Sequence, residues 1–509
     1  MATQQLAFRT CPTTGFKVHL RAEKLIVANA VTAVVFLTLG GIMALLIALT
    51  RWEAVHLLSA DWYYRLLGAH GMTMLVFWIV FFEIAGLYFG GAVVLNSRLP
   101  KPGLGWLAFA LMLTGAVMSN VMVLIGQATV MFTAYVPLKA HPLYYLGVVL
   151  FAVGAFIAVG LFFASLVVAK VEKRYEGSLP LFTYGLMAAA VIAVFTLVGG
   201  VITFVPALLW SLGIFKLYDP GAYRVFFWAF GHPAQQVNLA AMVAIWYALS
   251  SLMVGAKPVN EKLSRVAFLL YILFINLGSI HHLLVDPGLH TADRILNTSY
   301  FFYLAVVGSM IHAFSIPAGI EIAQRAKGYT HGIFQWLIKA PWKEPGFSAL
   351  VISMVLFGFL GGVTGVLQGT MQLNILVHNT LRVPAHFHMT VVAGTTLAFM
   401  GISYYLIPLM VRRNLVGKAW ASVQPYIYGG GLALLFFGMY GAGSLGVPRR
   451  TWDTTYSQAI VPGPVFGGEV NIFLALLGIG AVIAVIGGAI FVILMVLTLF
   501  FGKKVPIQA

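Results

Sequence analysis

Tyr223–Val254 reads YRVFFWAFGHPAQQVNLAAMVAIWYALSSLMV. At about 1.5 Å per helical residue the stretch is long enough to cross a hydrocarbon core of about 30 Å. Its middle nevertheless carries His232, Pro233, Gln235, Gln236 and Asn238. Polar groups inside a membrane helix are expensive and mark function by default, so the reading depends on whether the chain is a membrane protein. It is 509 residues long with 61% hydrophobic and only 9% charged residues, and its mean hydropathy is +0.95. That composition excludes a soluble globular protein.

Outward from this stretch, apolar runs of spanning length occupy residues 24–49, 63–92, 105–128, 142–169, 181–213, 223–254, 264–284, 297–322, 347–369, 384–410, 424–445 and 469–501. They predict an all-α polytopic membrane bundle of about twelve helices, with residues 1–509 as a single transmembrane domain and a short polar segment at about 1–23. That segment (Arg9, Lys17, Arg21, Lys24) lacks a small-residue cleavage site and reads as retained.

The formal charge of +16 would suggest nucleic acid in a soluble protein. Here the cations sort into alternate loops: Arg98 and Lys101; Lys170, Lys173 and Arg174; Lys257, Lys262 and Arg265; Arg325 to Lys343; Arg412, Arg413 and Lys418; Lys503 and Lys504. The positive-inside rule then places both termini in the cytoplasm and leaves no role for nucleic acid. Arg449 and Arg450 fall on the outer side against the rule, which implies a specific task.

With that topology His70, His232, His281, His282, His386 and His388 all lie in the outer halves of their spans. Any one could be satisfied by hydrogen bonds between helices; six at one depth point to cofactors. His386 and His388 project about 200° apart on one helix and can serve two different haems, with His70 as the second axial ligand of one. His232, His281 and His282 form a nitrogen-only set suited to copper, zinc or iron. The single cysteine, Cys11, excludes a disulfide framework or a multi-cysteine metal centre within the chain, so any such centre belongs to a partner.

The motifs AHGMTM around His70, WAFGHP at His232, the pair at 281–282, GGVTGV at 361–366, VHNTLRVPAHFHMT at 377–390 and GVPRR at 446–450 closely resemble subunit I of the haem–copper oxidoreductases, the superfamily of respiratory oxygen and nitric oxide reductases. The resemblance implies a low-spin haem on His70 and His388, a high-spin haem on His386 and a non-haem metal on His232, His281 and His282. Copper is favoured for that metal, with iron as the alternative. It further implies that Arg449 and Arg450 hold haem propionates and that His378 and Asn379 lie just outside the haems, with Asn379 where the family has an acid. The segment HHLLVDPGLHTADR resembles the B-type, ba3-like branch.

Relatives of the A and B types have His-Pro-x-x-Tyr where this chain has His232-Pro-Ala-Gln-Gln236. Position 236 is one turn from His232 on the same face, so Gln236 replaces the family's redox-active tyrosine. An amide forms no radical and does not ionise. Reduction of nitric oxide needs no such tyrosine, and the expectation is a nitric oxide reductase derived from ba3-type oxidases, with His386 and Gln236 at the reaction site. The runner-up is a B-type oxygen reductase whose tyrosine has moved to Tyr300 or Tyr303; a third reading is a transporter using its histidines for substrate or protons. Ala234 stands where A-type enzymes carry a proton-conducting glutamate. Tyr247 matches a B-type proton-channel tyrosine, and Asn238, Thr298, Ser309, His312 and Ser315 are candidates to extend the track. A smaller membrane-anchored subunit bearing copper or haem c, fed by cytochrome c or quinol, is the expected partner in a respiratory membrane.

Overall fold

The computed structural model describes residues 8–456 and 466–506, so part of the loop beyond Arg450 lies outside the described residues. Among those described, eleven helices are long and apolar enough to cross a membrane. In chain order they are α1 Leu20–Arg51, α2 Ala60–Val93, α3 Pro102–Leu124, α4 Pro142–Val171, α5 Leu181–Ser211, α6 Pro220–Val254, α7 Glu261–Leu283, α8 Thr291–Ala326, α9 Pro345–Gly369, α10 Arg382–Val411 and, after α11, α12 Gly468–Phe501. Helix α11, Lys418–Ser444, has spanning length, but Gln424, its tyrosines and its glycines dilute its apolarity and separate it from the other eleven. Most of the observed helices begin a few residues before the hydrophobic runs, since helices continue into polar flanks where hydropathy has already fallen.

The segment expected to be a polar tail up to residue 23 is organised. Strand β1, Phe8–Thr10, pairs antiparallel with β2, Lys17–His19, and α1 follows at once. Buried Arg9 forms a salt bridge with Glu23 at 3.0 Å and donates to the Leu409 carbonyl at 2.8 Å, which pins this hairpin beneath α10. The pairing uses a carboxylate in the first turn of α1, just before the apolar run, which hydropathy does not register.

Burial sorts the spans by role. The most apolar windows of α2, α6 and α10 are 72%, 72% and 83% buried, against 17% for α8. The helices that carry His70, His232, His386 and His388 are therefore central, and polar side chains on them face protein rather than lipid, as the bilayer requires; α7, which ends in His281 and His282, is 39% buried. Several also contain a wide π turn: Thr73–Phe77 in α2, Tyr271–Ile275 in α7, Leu296–Phe301 in α8, Leu356–Gly362 in α9 and His388–Thr396 in α10. Such turns free backbone carbonyls and shift side-chain direction, and they concentrate at functional sites.

Helices α11 and α12 pack along their full length and wall one side of the cavity beside His70 and His388. Gly431 and Gly438 on α11 face the backbone of α12, and Gly480 and Gly487 on α12 face that of α11; a Cβ at Gly487 would meet Tyr428 N at 2.6 Å. Small residues in this register let backbones touch, the main source of helix affinity in lipid. Gly438→Val, whose side chain would collide with Leu477, is expected to cost about 1–3 kcal/mol of stability. Earlier thermal loss of helical circular dichroism in the detergent-solubilised protein reads this out, and an unchanged melting curve contradicts it.

Candidate functional site

His70 on α2 and His388 on α10 face each other with ring centroids 6.5 Å apart and planes within 16°. Two metal–nitrogen bonds of about 2 Å each plus two ring radii fill that separation. His70 Nδ1 lies 3.0 Å from the Gly40 carbonyl, and His388 Nδ1 lies 2.7 Å from that of Pro384. With Nδ1–H donated to a carbonyl, each ring turns the Nε2 lone pair to the space between, the usual tuning of a metal-ligating histidine. The surrounding cavity, about 480 Å³, is almost wholly apolar and ends at Arg449 and Arg450.

A second cavity of about 360 Å³ lies on the other side of α10. His386 lines it, so the two histidines of this helix do serve opposite cavities. His386 repeats the same device, with Nδ1 at 2.9 Å from the Gly361 carbonyl released by the π turn of α9. The ring rests on Gly365, where a Cβ would come within 2.7 Å of Cε1. Opposite stand His232, His281 and His282, whose ligating nitrogens lie within 4.8 Å of one another. His232 Nδ1 and His282 Nε2 are 3.1 Å apart, near the ~3.3 Å edge of a tetrahedron with bonds of about 2.0 Å. His281 Nδ1 is buried without a partner, an orphaned lone pair that a metal would satisfy. Three imidazoles with no carboxylate fit copper, zinc or iron.

Two residues that hold this trio escaped the sequence reading. Asn297 on α8 accepts the His281 backbone N–H at 2.9 Å and donates to the Leu277 carbonyl at 3.1 Å, which fixes the tight turn Ile280–Leu283 carrying the histidine pair. Trp228, one turn before His232, stacks on His282 at 3.7 Å and 6° and donates Nε1–H to the Tyr135 hydroxyl at 2.7 Å. An asparagine and a tryptophan at these positions are visible in the sequence, but neither residue type names its partner.

Gln236 lines the second cavity, as its spacing from His232 predicted, and Gln235 lines it as well. Tyr300 and Tyr303 do not. They are 56% and 41% exposed, while Phe302, Ala305 and Ser309 present the cavity-facing side of α8. The six-residue π turn Leu296–Phe301 sets that facing, which a uniform helical wheel does not reproduce. Tyr135, from the loop between α3 and α4, is the only tyrosine among the described residues on the cavity wall.

Arg449, Arg450, His378 and Asn379 close the outer end. Burial, then the charge of Arg450, lowers the Arg449 pKa to about 10, and its Nε has no partner. Neither arginine forms a salt bridge with a described carboxylate. Such guanidiniums, beside both cavities, fit the carboxylates of a bound group. Burial and then Arg449 bring His378 down to about 4, so it is neutral at pH 7. Asn379 takes a left-handed backbone, φ 64°, and its carbonyl accepts the Arg449 N–H at 2.7 Å.

Towards the opposite face, the Tyr247 hydroxyl donates to Ser264 Oγ at 2.9 Å and lies 3.0 Å from His312 Nδ1; Ser264 and Ser315 are 3.3 Å apart. Nearer the cavity, Tyr271 and Ser309 hydroxyls are 2.8 Å apart. These two hydrogen-bonded groups draw in α7, by Ser264 and Tyr271, as well as α6 and α8. Thr298 and Asn238 belong to neither group. Thr298 bonds its own helix at the Arg294 carbonyl, and the Asn238 amide nitrogen has no partner.

The family model described as Cytochrome C and Quinol oxidase polypeptide I matches residues 24–483. Over 418 residues the chain is 32% identical to cytochrome c oxidase subunit 1 of Thermus thermophilus, covering 79% of this chain and 72% of that one. It is 24% identical over 460 residues to quinol oxidase subunit 1 of Bacillus subtilis, covering 84% of this chain and 66% of the relative. A solved structure, that of a heme-copper terminal oxidase dimer, superposes with a TM-score of 0.89 at 26% identity, covering 96% of this chain and 86% of that one.

Because His70 and His388 serve one cavity and His386 the other, His70→Ala or His388→Ala is expected to abolish the low-spin haem spectrum and spare the high-spin haem. Loss of both haems in folded protein contradicts the assignment. In His281→Ala, elemental analysis is expected to show the non-haem metal depleted while both haems remain.

Proposed function

The chain belongs to the haem–copper oxidase subunit I family, membrane oxidoreductases that bind haems and a copper or other non-haem metal, and from that premise we propose that this catalytic subunit reduces nitric oxide. The reaction is 2 NO + 2 electrons + 2 protons → N₂O + water. The observation that carries the reading is Gln236 on the wall of the cavity between His386 and the histidine trio, with neither Tyr300 nor Tyr303 turned to take the tyrosine's place.

The residues assign themselves roles by position. His70 and His388 would hold the low-spin haem, His386 the high-spin haem, and His232, His281 and His282 the metal. When bound, these groups supply two electrons and adjacent sites for two NO molecules. The Gln236 amide donates and accepts hydrogen bonds, orienting substrate or product oxygen without changing charge or oxidation state. Trp228 and Asn297 hold the trio in place. Phe302 and Phe357 keep the cavity wall apolar. Protons reach it through hydroxyls that accept one proton while passing on another: the Tyr247, Ser264, His312 and Ser315 cluster, then Tyr271 and Ser309, which opens on the cavity.

Electrons would enter at the outer end, where Ile375 and Leu376, 56% and 74% exposed, form an apolar prominence beside His378. That surface suits a smaller subunit bearing copper or haem c, supplied by cytochrome c or quinol. By the positive-inside rule this end would lie outside a respiratory membrane and both termini within the cell.

Oxygen reduction is the second reading, favoured by the relatives, which are cytochrome c and quinol oxidases. It would require a redox-active side chain other than Gln236, and Tyr135 is the tyrosine at the wall. The purified complex is expected to turn over NO faster than O₂, and Gln236→Ala to slow NO reduction by about 10- to 1000-fold, the range for a positioned polar group. Comparable O₂ turnover that Tyr135→Phe selectively abolishes would make it an oxygen reductase.

A further inference from the structure

A third cavity is larger than either of the two beside the histidines. It has a volume of about 840 Å³ and lies on the face that carries both described chain ends, reached by Arg9 of the hairpin and Pro506. This is within the range of small-molecule sites. Its walls are apolar, formed by Phe89, Phe182 and Leu406 with Leu252 towards the surface, and its rim carries Arg9, Lys257, Arg412 and Arg413.

The rim is under-neutralised. Glu23 alone faces two guanidiniums, Arg9 at 3.0 Å and Arg412 at 3.2 Å. Arg413 spends its donors on the carbonyls of Phe500 at 3.2 Å and Gly502 at 2.8 Å, which carry no countercharge. Lys257 forms no salt bridge with a described carboxylate. Glu261, the one carboxylate on the lining, is already paired with Arg265. One positive charge remains at the Arg9–Arg412–Glu23 group, one at Arg413 and one at Lys257, around a mouth that leads into an apolar chamber. Leu252, 53% exposed, places the chamber wall at the molecular surface.

We propose that this chamber binds an anionic phospholipid, its phosphate at Lys257 and Arg412 and an acyl chain along Phe89, Phe182 and Leu406. Basic pockets between transmembrane helices on the cytoplasmic side hold acidic headgroups, and charge here coincides with apolar depth. A free phosphate satisfies the rim but leaves the chamber unfilled. Tyr247, the inner end of the hydrogen-bonded cluster, is part of the same wall, so the occupant sits where protons would enter the track.

Holoenzyme reconstituted in phosphatidylcholine nanodiscs, then exposed to phosphatidylglycerol or cardiolipin, tests this by native mass spectrometry. Wild type is expected to retain the acidic lipid, and the Lys257→Gln/Arg412→Gln double variant to bind it about thirtyfold more weakly, from about 1 kcal/mol per cation. Ser251→Trp, which fills the mouth without removing charge, is expected to expel the lipid too. Unchanged haem spectra establish that both variants are folded. Equal retention of acidic lipid by wild type and the double variant overturns the proposal. So does inorganic phosphate at equal concentration that displaces the lipid fully, because the chamber would then recognise only the anion.

Discussion

An imidazole buried in a membrane interior with no water to serve it must have both nitrogens satisfied, or it costs several kcal/mol. That constraint falls on His70, His386 and His388 together, and the bundle meets one half of it identically at each. In all three the Nδ1 faces a backbone carbonyl, of Gly40, Gly361 or Pro384. Regular helices offer few free carbonyls, because each is already accepting from the residue four positions on. The π turn at Leu356–Gly362 supplies one such acceptor. Pro384 lies one turn before His388, at the point where the helix widens into its own π turn. The remaining nitrogen is left facing a cavity, which is what makes these histidines candidates for ligation.

Legibility in the sequence followed from the same constraint. The histidines could be placed by depth because their cost in the membrane makes them rare, and each span's length fixes depth to within a turn. Gln236 was placed by its distance of one turn from His232 within a regular segment of α6. Where the helix was irregular the reading failed. Tyr300 lies within a π turn and Tyr303 just after it, and their exposed placement depends on an extra residue per turn that no apolar periodicity records. Asn297 and Trp228 are placed by partners distant in sequence, the His281 backbone and Tyr135 respectively. The salt bridge between Arg9 and Glu23 that folds the N-terminal segment was hidden because Glu23 just precedes an apolar run and reads as its flank.

The central and peripheral helices divide the work accordingly. Buried α2, α6 and α10, with the end of α7, carry the candidate ligating side chains, whose positions must hold to fractions of an ångström for a metal to bind. The α11–α12 pair carries no histidine of the site and gains its precision from backbone contact through glycines, which gives the cavity beside His70 and His388 a wall that does not depend on side-chain rotamers. Exposed α8 contributes only one face, through Asn297, Phe302 and Ser309, and so can accommodate a π turn whose outer side meets lipid or a partner.

The choice between two chemistries rests on what a single side chain can exchange. A tyrosine one turn from a metal-ligating histidine can release both an electron and a proton; glutamine at that position can release neither and can only position atoms. The rest of the cavity, with its trihistidine set, His386 and neighbouring hydroxyls, can serve either reaction, because both need electrons and protons delivered to the same site. Tyr135 does not substitute simply, since its hydroxyl already accepts from Trp228 and its ring lies 4.3 Å beneath the Arg224 guanidinium. A cation over the ring opposes the positive charge that electron loss would leave there. On electrostatic grounds the wall tyrosine is therefore a poor donor, and the site retains the means to reduce a substrate by two electrons without a protein-centred third.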